Sequence, residues 1–93
     1  MKVQKDFFKS VKALPDYLLE IEMRTDTYII FDFKSWLGTA RFGALKEEEV
    51  FNTAHTDGFC IQFREGAREK VTITAGEFAD LLLGIRIDTK PVG

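Results

Sequence analysis

The sequence predicts an α+β fold: a small antiparallel β-sheet built from hairpins, one face covered by a C-terminal helix and a short middle helix. Three observations carry this. The first half alternates apolar and polar residues, the period of half-buried strands. Two polar breaks, at Thr25-Asp26 and Asp57-Gly58, have the residue types of tight chain reversals. Near the C-terminus, Thr74-Ala75-Gly76-Glu77 matches a capping box, and Phe78, Leu81 and Leu82 follow at helical spacing.

Taken in order, Phe7 to Leu14 forms a first strand, closed by the turn pair Pro15-Asp16. From Leu18 to Arg24 the sequence alternates, with Leu19, Ile21 and Met23 on one face and Glu20 and Glu22 on the other. Tyr28 to Phe33 has the β-branched and aromatic composition that strands favour. A two-residue loop at Thr25-Asp26 would set Met23 opposite Tyr28 and Ile21 opposite Ile30. Five apolar groups (Leu19, Ile21, Met23, Tyr28, Ile30) then share one side, and a slip of one residue would undo this.

Ser35 to Gly38 reads as a helical turn ended by glycine, and 38–43 as a loop whose Phe42 reaches the core. Lys46 to Phe51 is helix-prone, with Leu45, Val50 and Phe51 as apolar contacts and Glu47, Glu48 and Glu49 as a solvated face. A type I′ turn at Asp57-Gly58 pairs His55 with Cys60. It sends Ala54, Phe59, Ile61 and Phe63 inward and Thr53, His55, Cys60 and Gln62 outward. A second break at Glu65-Gly66-Ala67 leads to a short strand, Lys70 to Ile73. The helix then runs Ala75 to Leu83 and stops at Gly84.

The length of 93 residues fits a single small α+β domain spanning 1–93, with 1–6 and 86–93 as flexible ends. Nine phenylalanines must supply much of its core. Thirteen basic residues against fifteen acidic, a net charge of -2, argue against wrapping nucleic acid or docking on an anionic membrane. The single cysteine forms no internal disulfide and fits a reducing, cytoplasmic setting. No apolar h-region follows Lys2 and Lys5, so no signal peptide is expected. No apolar run approaches the ~20 residues that span a bilayer.

Chemistry is sparse. His55 and Cys60 are the only histidine and the only cysteine. As cross-strand neighbours they would stand within reach of a thiol–imidazole dyad. Against this, a catalytic pair needs an orienting group, an oxyanion hole and a cleft, which a hairpin's outer face does not offer. Asp32 fits better as a cap or hydrogen-bond acceptor than as a catalytic acid. Neither a glycine-rich phosphate loop nor a nucleophile elbow occurs. We assign no catalytic, cofactor-binding or metal-ligating residue and expect no enzyme activity and no cofactor. Lys2, Lys5, Lys9 and Lys12, set beside Arg64, Arg68 and Lys70, would make a phosphate-binding patch if the two groups converged.

Several stretches resemble a family of small bacterial proteins, the domain of unknown function 2442 family. They are Val11-Lys12-Ala13-Leu14-Pro15-Asp16-Tyr17-Leu18-Leu19, Ile30-Phe31-Asp32-Phe33-Lys34, Phe42-Gly43-Ala44-Leu45-Lys46 with Val50-Phe51, and Val71-Thr72-Ile73-Thr74 with Phe78. The resemblance covers most of residues 8–83. The chain departs from the family at Thr25-Asp26, where asparagine-glycine is frequent, at Phe63, where tryptophan is common, and at Thr72 and Thr74, often acidic. The resemblance implies a small α+β fold and a regulatory or partner-binding role, and it carries no functional residues over. The expected function is therefore a non-enzymatic bacterial protein-interaction or regulatory module, such as one half of a toxin–antitoxin-like pair. Its partner would be another protein or a second copy in a homodimer. The alternative is a nucleic-acid-binding module using the lysine-rich N-terminal segment.

Overall fold

The computed structural model describes residues 7–84; the two expected flexible ends, 1–6 and 86–93, lie outside the described residues. The elements are β1 (Phe8–Leu14), β2 (Leu18–Met23), β3 (Tyr28–Asp32), α1 (Glu48–Phe51), β4 (His55–Thr56), β5 (Cys60–Glu65), β6 (Arg68–Thr74) and α2 (Ala75–Leu82), with 3-10 turns at Lys34–Trp36 and Gly43–Lys46. The α+β class with hairpin-built antiparallel strands and a C-terminal helix holds. The strands, however, divide into two three-stranded sheets, ordered β1-β2-β3 and β4-β5-β6, in place of the one sheet expected. Among the described residues no helix is long and apolar enough to cross a membrane.

In the first sheet β1 pairs with β2 through Val11–Ile21 and Ala13–Leu19. A bulge at Lys9 separates the Phe8–Met23 and Ser10–Glu22 pairs. One extra residue reverses the parity of what precedes it, so Phe8 turns to the same face as Val11 and is buried. The Pro15-Asp16 reversal forms as expected, with Asp16 (φ 69°) and Tyr17 (φ 61°) both left-handed.

The β2–β3 register differs from the expected one. Ile21 faces Ile29, Glu22 faces Tyr28 and Glu20 faces Ile30. The loop has three residues, Arg24-Thr25-Asp26, closed by Met23 N–H donating to Thr27 O (2.8 Å) and Asp26 N–H donating to Met23 O (2.9 Å). Asp26 takes φ 68°, the left-handed position of a type I turn followed by a bulge. That single extra loop residue moves all of β3 to the other face. Ile29 and Phe31 join Leu19, Ile21 and Met23 against the core, while Tyr28 and Ile30 are 58% and 45% exposed.

The turn at Lys34–Trp36 and the buried Phe42 follow expectation, and the helix-prone 46–51 stretch resolves into a 3-10 turn and the four-residue α1. In the second sheet β5 pairs with β6 around Gly66-Ala67, where Gly66 (φ 63°) alone of the two needs the left-handed region, as in a type II′ turn. At the other hairpin His55 faces Gln62 and Thr56 faces Ile61, not Cys60 and Phe59. The reversal is longer than the two-residue turn expected because the Asp57 carboxylate captures the N–H groups of Phe59 (2.9 Å) and Cys60 (3.0 Å). The slip is two residues, so parity survives: Ile61 and Phe63 point inward and are fully buried. Phe59, expected inward, sits in the widened loop and is 37% exposed.

Helix α2 starts where the capping signature places it, with Glu77 N–H donating to Thr74 Oγ1 at 3.1 Å. The reciprocal half of the box is diverted: the Glu77 carboxylate accepts from Arg41 Nε (3.1 Å) and Nη2 (3.0 Å). Phe78 and Leu81 are buried, while Leu82, expected on their face, is exposed. Gly84 (φ 78°) donates to Leu81 O and closes the helix.

One continuous core takes side chains from both sheets, the middle segment and α2. Phe33 is its hub, with ring centroids 5.4 Å from Phe31, 5.2 Å from Phe42, 6.0 Å from Phe51 and 6.3 Å from Phe63, all edge-on. Phe78 links α2 to the first sheet through Phe8 (5.9 Å) and Phe31 (5.5 Å). Each such pair adds about 0.5–1.5 kcal/mol beyond simple burial, so the aromatic lattice joins the sheets into one unit.

Candidate functional site

The shifted register builds the feature that most resembles a functional surface. In an antiparallel ladder, residues alternate between pairs that exchange hydrogen bonds and pairs that do not. Met23 bonded to Thr27, and Phe33 N–H donating to Tyr17 O (2.9 Å), mark the two ends of the bonded set. The N–H and C=O groups of Ile29 and Phe31 therefore turn toward β2. Those of Tyr28, Ile30 and Asp32 turn away from it, on the outer side of the sheet's edge strand. Among the described residues, no backbone group bonds to them.

The outer edges of β1 and β6 are engaged in part. At the start of β1, Phe8 and the preceding Phe7 donate N–H to Gly58 O (3.0 and 2.7 Å). On β6, Arg41 Nη2 donates to Thr72 O (2.6 Å), and its guanidinium lies 5.0 Å from the centroid of the Phe42 ring.

The face beside the open edge is apolar and charged in alternation. Leu14, Leu18 and Ile30 share it with Lys12, Glu20, Glu22, Tyr28 and Asp32. The Tyr28 hydroxyl donates to Glu20 Oε2, and this bond holds the phenol above its ordinary pKa. Asp32 Oδ1 accepts from Lys34 N–H (2.8 Å), which lowers its pKa, and lies 3.3 Å from Lys34 Nζ. It thus serves as the hydrogen-bond acceptor expected from its place before a helical turn. Lys34 Nζ also reaches Asp16 Oδ2 (3.2 Å), while Lys9 joins Glu22 (3.5 Å) and Asp26 (3.1 Å).

His55 and Cys60 are not brought together as a pair. Cys60 stands opposite Thr74, and His55 opposite Gln62. His55 Nε2 lies 3.2 Å from Arg64 Nη2, and Nδ1 2.8 Å from Thr53 O. A guanidinium only donates, so Nε2 accepts and Nδ1 carries the ring proton. Burial, then the charges of Asp57 and Glu69, push the Cys60 thiol above its ordinary pKa. A thiolate nucleophile needs the opposite shift. Among the described residues no group of three or more His, Cys, Asp or Glu is placed to hold a metal ion.

A shallow groove of about 430 Å³ lies between the β1–β2 turn and α1, lined in part by Pro15, Asp16, Tyr17, Glu48 and Asn52. Two of its polar side chains, Tyr17 and Asp16, are occupied within the fold. The Tyr17 hydroxyl donates to Lys46 O, the Tyr17 ring packs edge-on against Phe51 (5.2 Å), and Asp16 holds Lys34. These contacts keep Tyr17 in a backbone region that bulky residues seldom enter.

Of the basic groups proposed as a patch, Lys9 is in ion pairs, Lys12 faces Glu20 across the strands, Arg64 lies on His55, Arg68 stands opposite Glu65 at the β5–β6 turn, and Lys70 pairs with Glu65 (3.2 Å). Lys2 and Lys5 lie outside the described residues. Sequence reasoning missed Tyr28 and Ile30 as surface residues and Arg41 as the clamp on β6. The signal for the first was Asp26, a residue type that tolerates the left-handed region and so permits a three-residue loop. No family model, curated protein or solved structure matches the chain.

Proposed function

We propose that the protein is a non-enzymatic interaction module of a bacterial regulatory system, such as one half of a toxin–antitoxin-like pair. It engages a protein partner by strand addition at β3. The single observation that carries this reading is the outward row of backbone groups at Tyr28, Ile30 and Asp32, set beside two exposed apolar side chains. A row of unpaired donors and acceptors is a template for an extended segment, with main-chain bonds supplying affinity and side-chain contacts selectivity. Two further observations agree with it. The thiol, its pKa raised by burial, stands apart from the imidazole, and two residues of the suggested phosphate patch, Lys9 and Lys70, pair with carboxylates of the fold. The resemblance to small bacterial proteins points the same way, toward partner binding.

The test is affinity capture from a bacterial lysate on wild type and Ile30→Pro in parallel, with and without nuclease. The N–H of Ile30 points outward, so proline there removes an edge donor and spares the β2–β3 ladder. A protein retained by wild type, lost on Ile30→Pro and indifferent to nuclease is the expected outcome. Nucleic acid retained equally by both would support the alternative and refute this reading.

A further inference from the structure

We infer that the strand added at β3 is β3 of a second copy, antiparallel across a two-fold axis at Ile30, so that two first sheets join into one of six strands. The inference rests on the strand-addition reading and names its occupant. Only registers that set outward-facing residues opposite one another let the edges exchange hydrogen bonds. Three of these keep most of the strand in register. Setting Tyr28 opposite Ile30 of the second copy brings Asp32 opposite Asp26, a like-charge pair, which is destabilising. Setting Ile30 opposite Asp32 buries an aliphatic group against a carboxylate and runs Tyr28 past the strand end to Lys34, already held by Asp16 and Asp32.

The remaining register is self-complementary. Ile30 faces Ile30, Tyr28 faces Asp32 at both ends, and on the core side Ile29 faces Phe31. Each of the three outward pairs exchanges two main-chain bonds. The charge it places in the seam is prepared within each copy: Asp32 already carries a backbone N–H and the Lys34 ammonium. The Tyr28 hydroxyl is committed to Glu20 and so stays over its own sheet, clear of the second strand.

A seam of five residues is small beside the ~1,200 Å² of an ordinary specific interface, so the dimer is weak and exchanges readily. A protein partner's strand would compete for the same edge.

The test combines mass and cross-linking on the full chain. Sedimentation equilibrium should show the mass rise with concentration from 10.6 kDa toward twice that value. Ile30→Pro should weaken association at least tenfold while keeping its circular dichroism. In a Cys60→Ser background, Ile30→Cys should form a disulfide-linked dimer under mild oxidation, because directly opposite bonded residues have Cα atoms ~5.5 Å apart. Tyr28→Cys should not, because its copies lie four residues apart along the seam, roughly 13 Å. Equal cross-linking of both variants, or a dimer indifferent to Ile30→Pro, overturns the inference. A wild type that stays monomeric also overturns it. If that monomer still captures a protein in an Ile30-dependent way, self-pairing fails and strand addition stands; if it captures nothing, both fail.

Discussion

At the residue scale, three left-handed positions, Asp16, Tyr17 and Asp26, shape the first sheet. The last decides which face of β3 meets the core. An L-residue in that region costs roughly 1–2 kcal/mol, least for Asp and Asn and nothing for Gly. Asp26→Gly is therefore expected to raise the urea midpoint slightly, and Asp26→Val to lower stability by about 1–2 kcal/mol. Asp57 works differently, through its side chain. The N–H groups of Phe59 and Cys60 stabilise its carboxylate and lower its pKa from the ordinary 3.8. A depressed folded-state value contributes stability above the unfolded pKa and loses it as pH falls through the folded one. Below about pH 4, wild type should lose stability with acidification more steeply than Asp57→Asn, which keeps an acceptor and has no proton to bind. Parallel urea titrations across that range check it.

At the element scale, much was legible. Thr74, Glu77, Phe78 and Gly84 locate α2 within a residue at each end, because capping and helical spacing are local signals. Thr74→Ala should cost about 1 kcal/mol by denaturant unfolding. The strands were legible as strands, yet not in register. Alternation says that Tyr28 and Ile30 share a face, and it is silent on which; the loop length decides, and two residues and three are equally consistent with Arg24-Thr25-Asp26-Thr27. The same kind of slip at Asp57-Gly58 was harmless, because two residues return each side chain to its expected face and one does not. Leu82 and Phe59 were misplaced for a related reason: composition marked them apolar, while position set them outside the packed layer. The candidate edge was legible only as a general property of small open sheets. Its location needed the register.

At the scale of the whole molecule, Phe33 and its ring neighbours tie two small sheets into one body, which neither sheet could form alone. With the core on one side of the first sheet, its other side and its β3 edge face solvent, and this asymmetry is the basis of the functional account. The direct measurement is residue-resolved amide hydrogen exchange on dilute protein, below the concentration at which it associates. The account predicts alternation along β3: the amides of Tyr28, Ile30 and Asp32 exchange at nearly the free-peptide rate, while those of Ile29 and Phe31 are slowed on the order of a hundredfold or more. Protection of all five amides in the monomer would mean that the edge is already covered, and would contradict the account.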